Sequence, residues 1–302
     1  MNTLLKRRFS VFIILFSCRL YAANCCGGGF ALPSLITGDD KAQITGSISQ
    51  SRVTADVSSE GVWYRREYND SSQIYKLEAA HIVADRFQVG ISLPILFKSR
   101  EVNNSQENNS GLSDISASLG YEFLPDWNYN PYRPKGLGYL TLTLPTGKSI
   151  YESSDGLDSR GRGFLAVGAG ALFTKTWTKF DALAGIEMHR SFSKVVNING
   201  EYGNINPGFG SSLNVGAGYS RGAYRLGTSV IWTQEDGVTT DGAVQSTAEE
   251  QKYASGSLSL SYLTANLSAF SLTYSDQTLF GTPNNTTLSQ SVTLSYQKRW
   301  AR

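Results

Sequence analysis

The sequence predicts an all-β fold: a transmembrane, antiparallel, up-and-down β-barrel of about twelve strands. Three observations carry that expectation. Apolar side chains recur at every second position over stretches of about eleven to thirteen residues, the period of a strand with two unlike faces. The connections between these stretches alternate between long polar loops and tight turns, and the last stretch ends in an apolar stripe that finishes at Trp300.

The N-terminus comes first. Lys6, Arg7 and Arg8 precede an apolar run from Phe9 to Phe16, and the small residues Ala22 and Ala23 follow, which marks 1–23 as a secretory signal peptide. The cleavage site is imperfect, because Leu20 or Tyr21 stands where a small residue is preferred. Leu15-Phe16-Ser17-Cys18 has the outline of a lipoprotein signal, but Phe16 is too bulky for it. Removing 1–23 takes away Lys6, Arg7, Arg8 and Arg19 from 27 basic residues against 25 acidic ones, so the mature chain is slightly acidic. Nucleic acid is therefore not an expected partner.

Residues 24–40 read as a periplasmic N-terminal segment. It begins with Cys25-Cys26 and three glycines, which fit a tethered or unstructured tail, with a vicinal disulfide or a metal clip as alternatives. No cysteine follows Cys26, so no disulfide framework holds the rest of the fold.

The barrel is expected over 41–302. Its strands fall near 41–57, 72–83, 87–99, 112–124, 136–146, 162–174, 179–191, 207–220, 223–234, 252–263, 266–276 and 288–300. The third is the clearest: Phe87, Val89, Ile91, Leu93, Ile95 and Phe97 share one face. The loops after odd strands (58–71, 100–111, 147–161, 192–206, 235–251, 277–287) are long and rich in Asn, Ser, Asp and Gly. Those after even strands are mostly tight, as at Ala84-Asp85-Arg86, Arg221-Gly222 and Thr264-Ala265, with the proline-rich 125–135 as the exception. Long loops outside and short turns inside, with both termini in the periplasm, is the arrangement of the Gram-negative outer membrane.

A secreted β-sandwich also alternates apolar and polar residues, and three features count against it. The strands are about twice the length usual in globular sheets and match what a tilted strand needs to cross a bilayer. Their second face is mostly Gly, Ser, Thr and Asn rather than the Lys and Glu of a solvated surface. Aromatic residues gather at strand ends, at Phe87, Phe97, Tyr121, Phe123, Tyr219, Tyr224, Trp232 and Trp300, where they suit the two membrane interfaces and contact with outer-membrane lipid.

Strand parity assigns Lys76, Glu78, Lys98, Asp114, Glu122, Asp181, Glu187, His189 and Arg225 to the lumen. Strand direction puts Glu122, Asp181 and Arg225 near the periplasmic end, and Glu78 and Glu187 nearer mid-barrel. Such a mixture of charges either builds a constriction that orients a solute or pairs across a filled interior. Enzymatic chemistry finds little support: His81 and His189 are the two histidines, no nucleophile is marked near either, and a Ser-His hydrolase is the weakest alternative. No metal set and no cofactor is indicated.

Two phrases resemble a known family. Gly111-Leu112-Ser113-Asp114-Ile115 leading to Leu119-Gly120-Tyr121-Glu122-Phe123, and then Leu142-Thr143-Leu144-Pro145-Thr146-Gly147-Lys148, look like the paired strand signatures of the MetA-pathway phenol-degradation barrels. Those proteins are similar to outer-membrane channels for fatty acids and aromatic compounds. The resemblance covers about 40 residues and is architectural elsewhere. It implies passage of small, often hydrophobic molecules and carries over no catalytic residue. The expectation is therefore a monomeric passive channel for a small solute, with a non-conducting surface, adhesion or envelope-structural barrel as the alternative.

Overall fold

The computed structural model describes residues 33–66, 68–102, 105–153, 156–198, 201–242 and 246–302. The signal region and Cys25-Cys26 lie outside the described residues.

Twelve antiparallel strands form one closed barrel. They are β1 (Asp40–Val57), β2 (Asn69–Ala84), β3 (Phe87–Val102), β4 (Ile115–Leu124), β5 (Lys135–Leu144) and β6 (Ala166–Thr176), followed by β7 (Phe180–Ser191), β8 (Phe209–Arg221), β9 (Tyr224–Glu235), β10 (Gln251–Leu263), β11 (Ser268–Asp276) and β12 (Thr286–Ala301). Each pairs with its sequence neighbours, and β12 pairs with β1 from Asp40↔Ala301 to Val57↔Thr286. Closure leaves neither strand with an open edge, which is what a sheet surrounded by hydrocarbon requires.

All twelve expected strands are present. Two boundaries moved for identifiable reasons. The sixth strand starts at Ala166 rather than near 162, because Gly163 adopts a left-handed φ of 71° and donates its N–H to Asp114 instead of to a neighbouring strand. The fourth starts at Ile115 rather than near 112, because Ser105–Leu112 forms a separate strand paired with the far end of β3. The long loops are thus not irregular throughout. Trp63–Tyr64 pairs with the end of β1, and Lys194–Ile198, Glu201–Asn206, Val238–Gly242 and Ser246–Ala248 form a separate four-stranded sheet at the loop end. Phe164, Val196 and Ile205 bury one another beneath that sheet.

The outer surface carries the apolar set. Ile48, Leu77, Ile91, Leu119, Leu140, Val215, Leu260 and Leu294 are all about half exposed, and no inward layer covers them. An apolar face left open on every strand is destabilising in water and suited to lipid. At the end with the tight turns, aromatic rings pair across strands: Phe87 with Tyr121 (4.8 Å between centroids), Phe180 with Tyr219 (5.1 Å), Tyr224 with Tyr262 (5.1 Å) and Phe270 with Tyr296 (5.0 Å). Phe123 meets Phe173 in the same belt, and Trp300 lies exposed beside it. Tyr75 and Phe97, 5.4 Å apart, belong with Trp232 to the opposite end. The eight aromatic residues expected at the interfaces are all on the outer surface.

Candidate functional site

The strand alternation that turns apolar residues outward turns the second face of each strand into the lumen. On β1, β10, β11 and β12 that face is built from hydroxyls, and the register aligns them into rows across the wall. Ser49 lies opposite Thr293, which lies opposite Thr273, which lies opposite Ser259. One step toward the turns, Ser47, Ser295, Ser271 and Ser261 form a second such row. Thr293 donates to Ser49 at 2.9 Å, Ser271 to Ser261 at 2.8 Å, and the Gln297 amide to Thr45 at 3.2 Å. A cavity of about 470 Å³ runs along this wall.

The opposite side of the lumen is different in kind. Leu137 and Tyr139 of β5, Leu172 of β6 and Leu183 of β7 pack together inside the barrel, with Leu35 as the fifth member. Leu35 belongs to the N-terminal segment, of which 33–39 is described, and that stretch runs inside the barrel. Gln88 accepts the Ile36 N–H at 2.6 Å and donates to its carbonyl at 3.3 Å. Ser118 donates to the Ser34 carbonyl at 3.2 Å, Gln43 to the Leu35 carbonyl at 3.1 Å, and Lys135 to the Gly38 carbonyl at 3.0 Å. Gly90 is needed beneath it, since a Cβ there would lie 2.1 Å from the Ser34 carbonyl oxygen.

The charged residues predicted to face the lumen are mostly paired. Asp181 takes a two-pronged contact from Arg225, with Arg225 Nε at 2.8 Å from one carboxylate oxygen, and both are nearly fully buried at the turn end. Glu122 sits 3.4 Å from Lys135 and 3.8 Å from Arg302, also at the turn end. Arg299 and Asp40 join β12 to β1 at 3.3 Å. Lys76 and Glu78 pair with each other at 3.0 Å and line the cavity. Glu187, opposite Gly170 and Ser212, faces the Tyr139 hydroxyl.

Three of the predicted residues work at the loop end. Asp114 accepts the N–H groups of Gly147 at 2.9 Å and Gly163 at 3.1 Å, so it fastens both ends of the connection between β5 and β6. Lys98 reaches the Gly156 carbonyl in that connection at 3.4 Å. His189 lies 2.9 Å from Arg162 and 3.2 Å from Glu235, and Arg162 bridges to Glu235 as well. Within the connection, Ile150–Glu152 forms one 3-10 turn capped by Ser149, and Asp158 accepts from Lys148 and Ser153. Those hydrogen bonds hold the Asp158 carboxyl below the usual carboxylate range. For Glu152 burial acts in the opposite direction, but hydrogen bonds from Lys194 and Ser149 outweigh it and the carboxyl is likewise lowered.

His81 is exposed on the outer surface, far from His189. Among the described residues no three His, Cys, Asp or Glu side chains stand close enough to hold a metal ion. The sequence showed a second strand face rich in Ser and Thr but pointed to the charges, and not to these hydroxyls, as the lumen residues. The signal was present, since Ser47, Ser49 and Ser51, and Ser289, Ser291, Thr293 and Ser295, alternate strictly with apolar or polar outward residues. The insertion of 33–39 had no periodic signature to find.

No family model and no curated protein matches the chain. Among solved structures it is similar to the COG4313 outer membrane channel from Pseudomonas putida F1, with a TM-score of 0.67 at 13% identity over 90% of this chain and 99% of that one. The transport unit of the autotransporter AIDA-I from Escherichia coli aligns with a TM-score of 0.49 at 9% identity over 87% and 90%. A TodX monoaromatic hydrocarbon channel mutant aligns with 0.48 at 10% over 89% and 93%. At these identities the likeness is one of fold.

Proposed function

We propose that this chain is an outer-membrane channel of a Gram-negative bacterium that lets a small solute pass down its gradient without catalysis. The observation that carries the reading is the combination, in one closed barrel, of an outer surface suited to lipid and a polar wall with a cavity of about 470 Å³ beside it. The fold shared with the COG4313 channel supports it. In this reading 1–23 is removed on export, the segment 24–40 enters from the periplasmic side with 33–39 lodged inside the barrel rather than free in the periplasm, and 41–302 is the barrel, with the turn end in the periplasm and the loop end outside. One chain completes the barrel, which supports a monomer as the working unit. The small, often hydrophobic or aromatic cargo of the family that 111–148 resembles is the starting expectation for the solute.

Most of the lumen-facing charges act in this scheme as fixed pairs that set the width of the passage. Paired charges present little net field to a solute, so the proposal assigns them shape and rigidity rather than ion selection. The test is planar-bilayer conductance and liposome swelling with the purified barrel, its folding verified by heat-shifted gel mobility. Discrete conductance steps are expected. A folded barrel that gives neither conductance nor swelling would favour the alternative surface or envelope role.

A further inference from the structure

We propose that the solute accommodated beside the hydroxyl wall is a small, uncharged molecule bearing several hydroxyl groups, of about monosaccharide size. The inference rests on the channel reading and departs from the hydrophobic cargo that the family resemblance implies. It begins with what the cavity offers along its length. Hydroxyls repeat across the wall at the spacing of neighbouring strands, about 4.8 Å, and along each strand at two residues, about 6.7 Å. Each is both a donor and an acceptor. Ser49, Thr293 and Thr273 stand in one row, and Ser47, Ser295 and Ser271 in the next. A solute that carries hydroxyls can exchange one partner for the next along this lattice without ever losing its hydrogen bonds.

The two other solute classes fare worse here. An ion would have to leave water for a wall of neutral groups, where the one charged pair facing the cavity among the described residues, Lys76 and Glu78, already lies 3.0 Å apart. Desolvating an unpaired charge is the costliest of the possible transfers. A pure hydrocarbon would displace water from the hydroxyl groups whose hydrogen-bonding capacity is not already used by a neighbour and would return no hydrogen bond to them. The far side of the same cavity is apolar at Leu172 and Leu183, and Ile74 and Ile231 flank the hydroxyl wall beside Ser49 and Ser255. A compact ring with hydroxyls on its edge and C–H groups on its face satisfies both walls. The volume falls within the range of small-molecule sites, about 300–1,000 Å³.

The test compares solutes of similar size in liposome swelling with the full mature barrel: arabinose as the neutral polyol, proline as the zwitterion and gluconate as the anion. Arabinose is expected to enter several-fold faster than either. The double variant Thr273→Val with Thr293→Val keeps side-chain shape and removes two adjacent hydroxyls of one row. It is expected to slow arabinose several-fold while ion conductance stays within twofold of the parent. Conductance without an arabinose preference, or a double variant that folds and passes arabinose at the parent rate, would overturn the inference and leave the channel reading standing. A folded barrel that passes no ion and no solute would overturn both.

Discussion

Gln88 on β3 holds Ile36 by both of its peptide groups, accepting its N–H at 2.6 Å and donating to its carbonyl at 3.3 Å. The pairing imitates a strand contact, made by a side chain, and it ties the N-terminal segment to the inner wall in the half of the barrel nearest the turns. Ser34 and Leu35 then lie over Gly90 and Gly120, where a Cβ would come within 2.1 Å of the Ser34 carbonyl oxygen and 3.0 Å of the Leu35 side chain. Gly90→Val is therefore expected to expel 33–36 from the wall without disturbing the barrel, because the side chain it adds points inward. Single-channel conductance should rise severalfold, and Gln88→Leu should raise it in the same direction by less. Unchanged conductance in a folded Gly90→Val barrel would show that 33–36 does not limit the passage.

Most of the barrel could be read from the sequence and most of its interior could not, for a physical reason. Lipid imposes the same demand on every strand, so outward residues such as Ile91, Leu119 and Leu294 repeat a period of two that needs no tertiary knowledge. The lumen imposes no common demand. Asp181 and Arg225 come together because β7 and β9 are both neighbours of β8, which crosses between them with Gly218 at the level where the guanidinium passes. Parity gives each charge its side, and only closure gives it a partner. Residues 33–39 are held by side-chain contacts with residues up to 97 positions away, which leave no local pattern.

The Asp181–Arg225 pair is nearly fully enclosed, with side-chain exposures of 6% and 9%. Removing one partner leaves the other buried and unpaired, a loss of about 3–5 kcal/mol. Arg225→Met is expected to lower the unfolding free energy of the barrel folded in lipid vesicles, read from its urea titration, by that amount. The double variant Asp181→Asn with Arg225→Met should recover a substantial part, since the stranded charge is gone. Equal destabilisation by the single and double variants would mean that the pair contributes through packing alone.

Acid should loosen the connection between β5 and β6. The carboxyls of Glu152 and Asp158 both lie below their ordinary values in the folded protein. Groups so shifted stabilise the fold above their unfolded value of about 4, and that contribution is lost as pH falls through the lower folded value. The fastening is thus intact at neutral pH and fails only in strong acid. Asp158→Asn with Glu152→Gln imitates that loss at pH 7. Trypsin should then cut after Lys148, next to Ser149, which is 1% exposed in the folded loop. A cleavage rate equal to that of the parent would rule out these carboxyls as the fastening.

Closure at β12 is the contact on which the rest depends. The strand pairs along nearly its whole length with β1 and from Ser268↔Lys298 to Asp276↔Gln290 with β11. Deleting 292–302 would leave the β1 edge and the β11 edge facing hydrocarbon, where each unpaired backbone group costs several kcal/mol. No assembled barrel is expected from that variant in the outer-membrane fraction. Because a truncated chain can fail for many reasons, point substitutions on the same strand give a sharper test. Leu294 is outward and 60% exposed, whereas its neighbour Thr293 turns inward to Ser49. Leu294→Arg places a charge in lipid away from either interface and should destabilise the barrel by about 2–4 kcal/mol. Trp300→Arg, at the aromatic belt near the interface, should cost about 0–1 kcal/mol. If the two arginines destabilise alike in vesicle refolding, the outward stripe of β12 does not face a membrane.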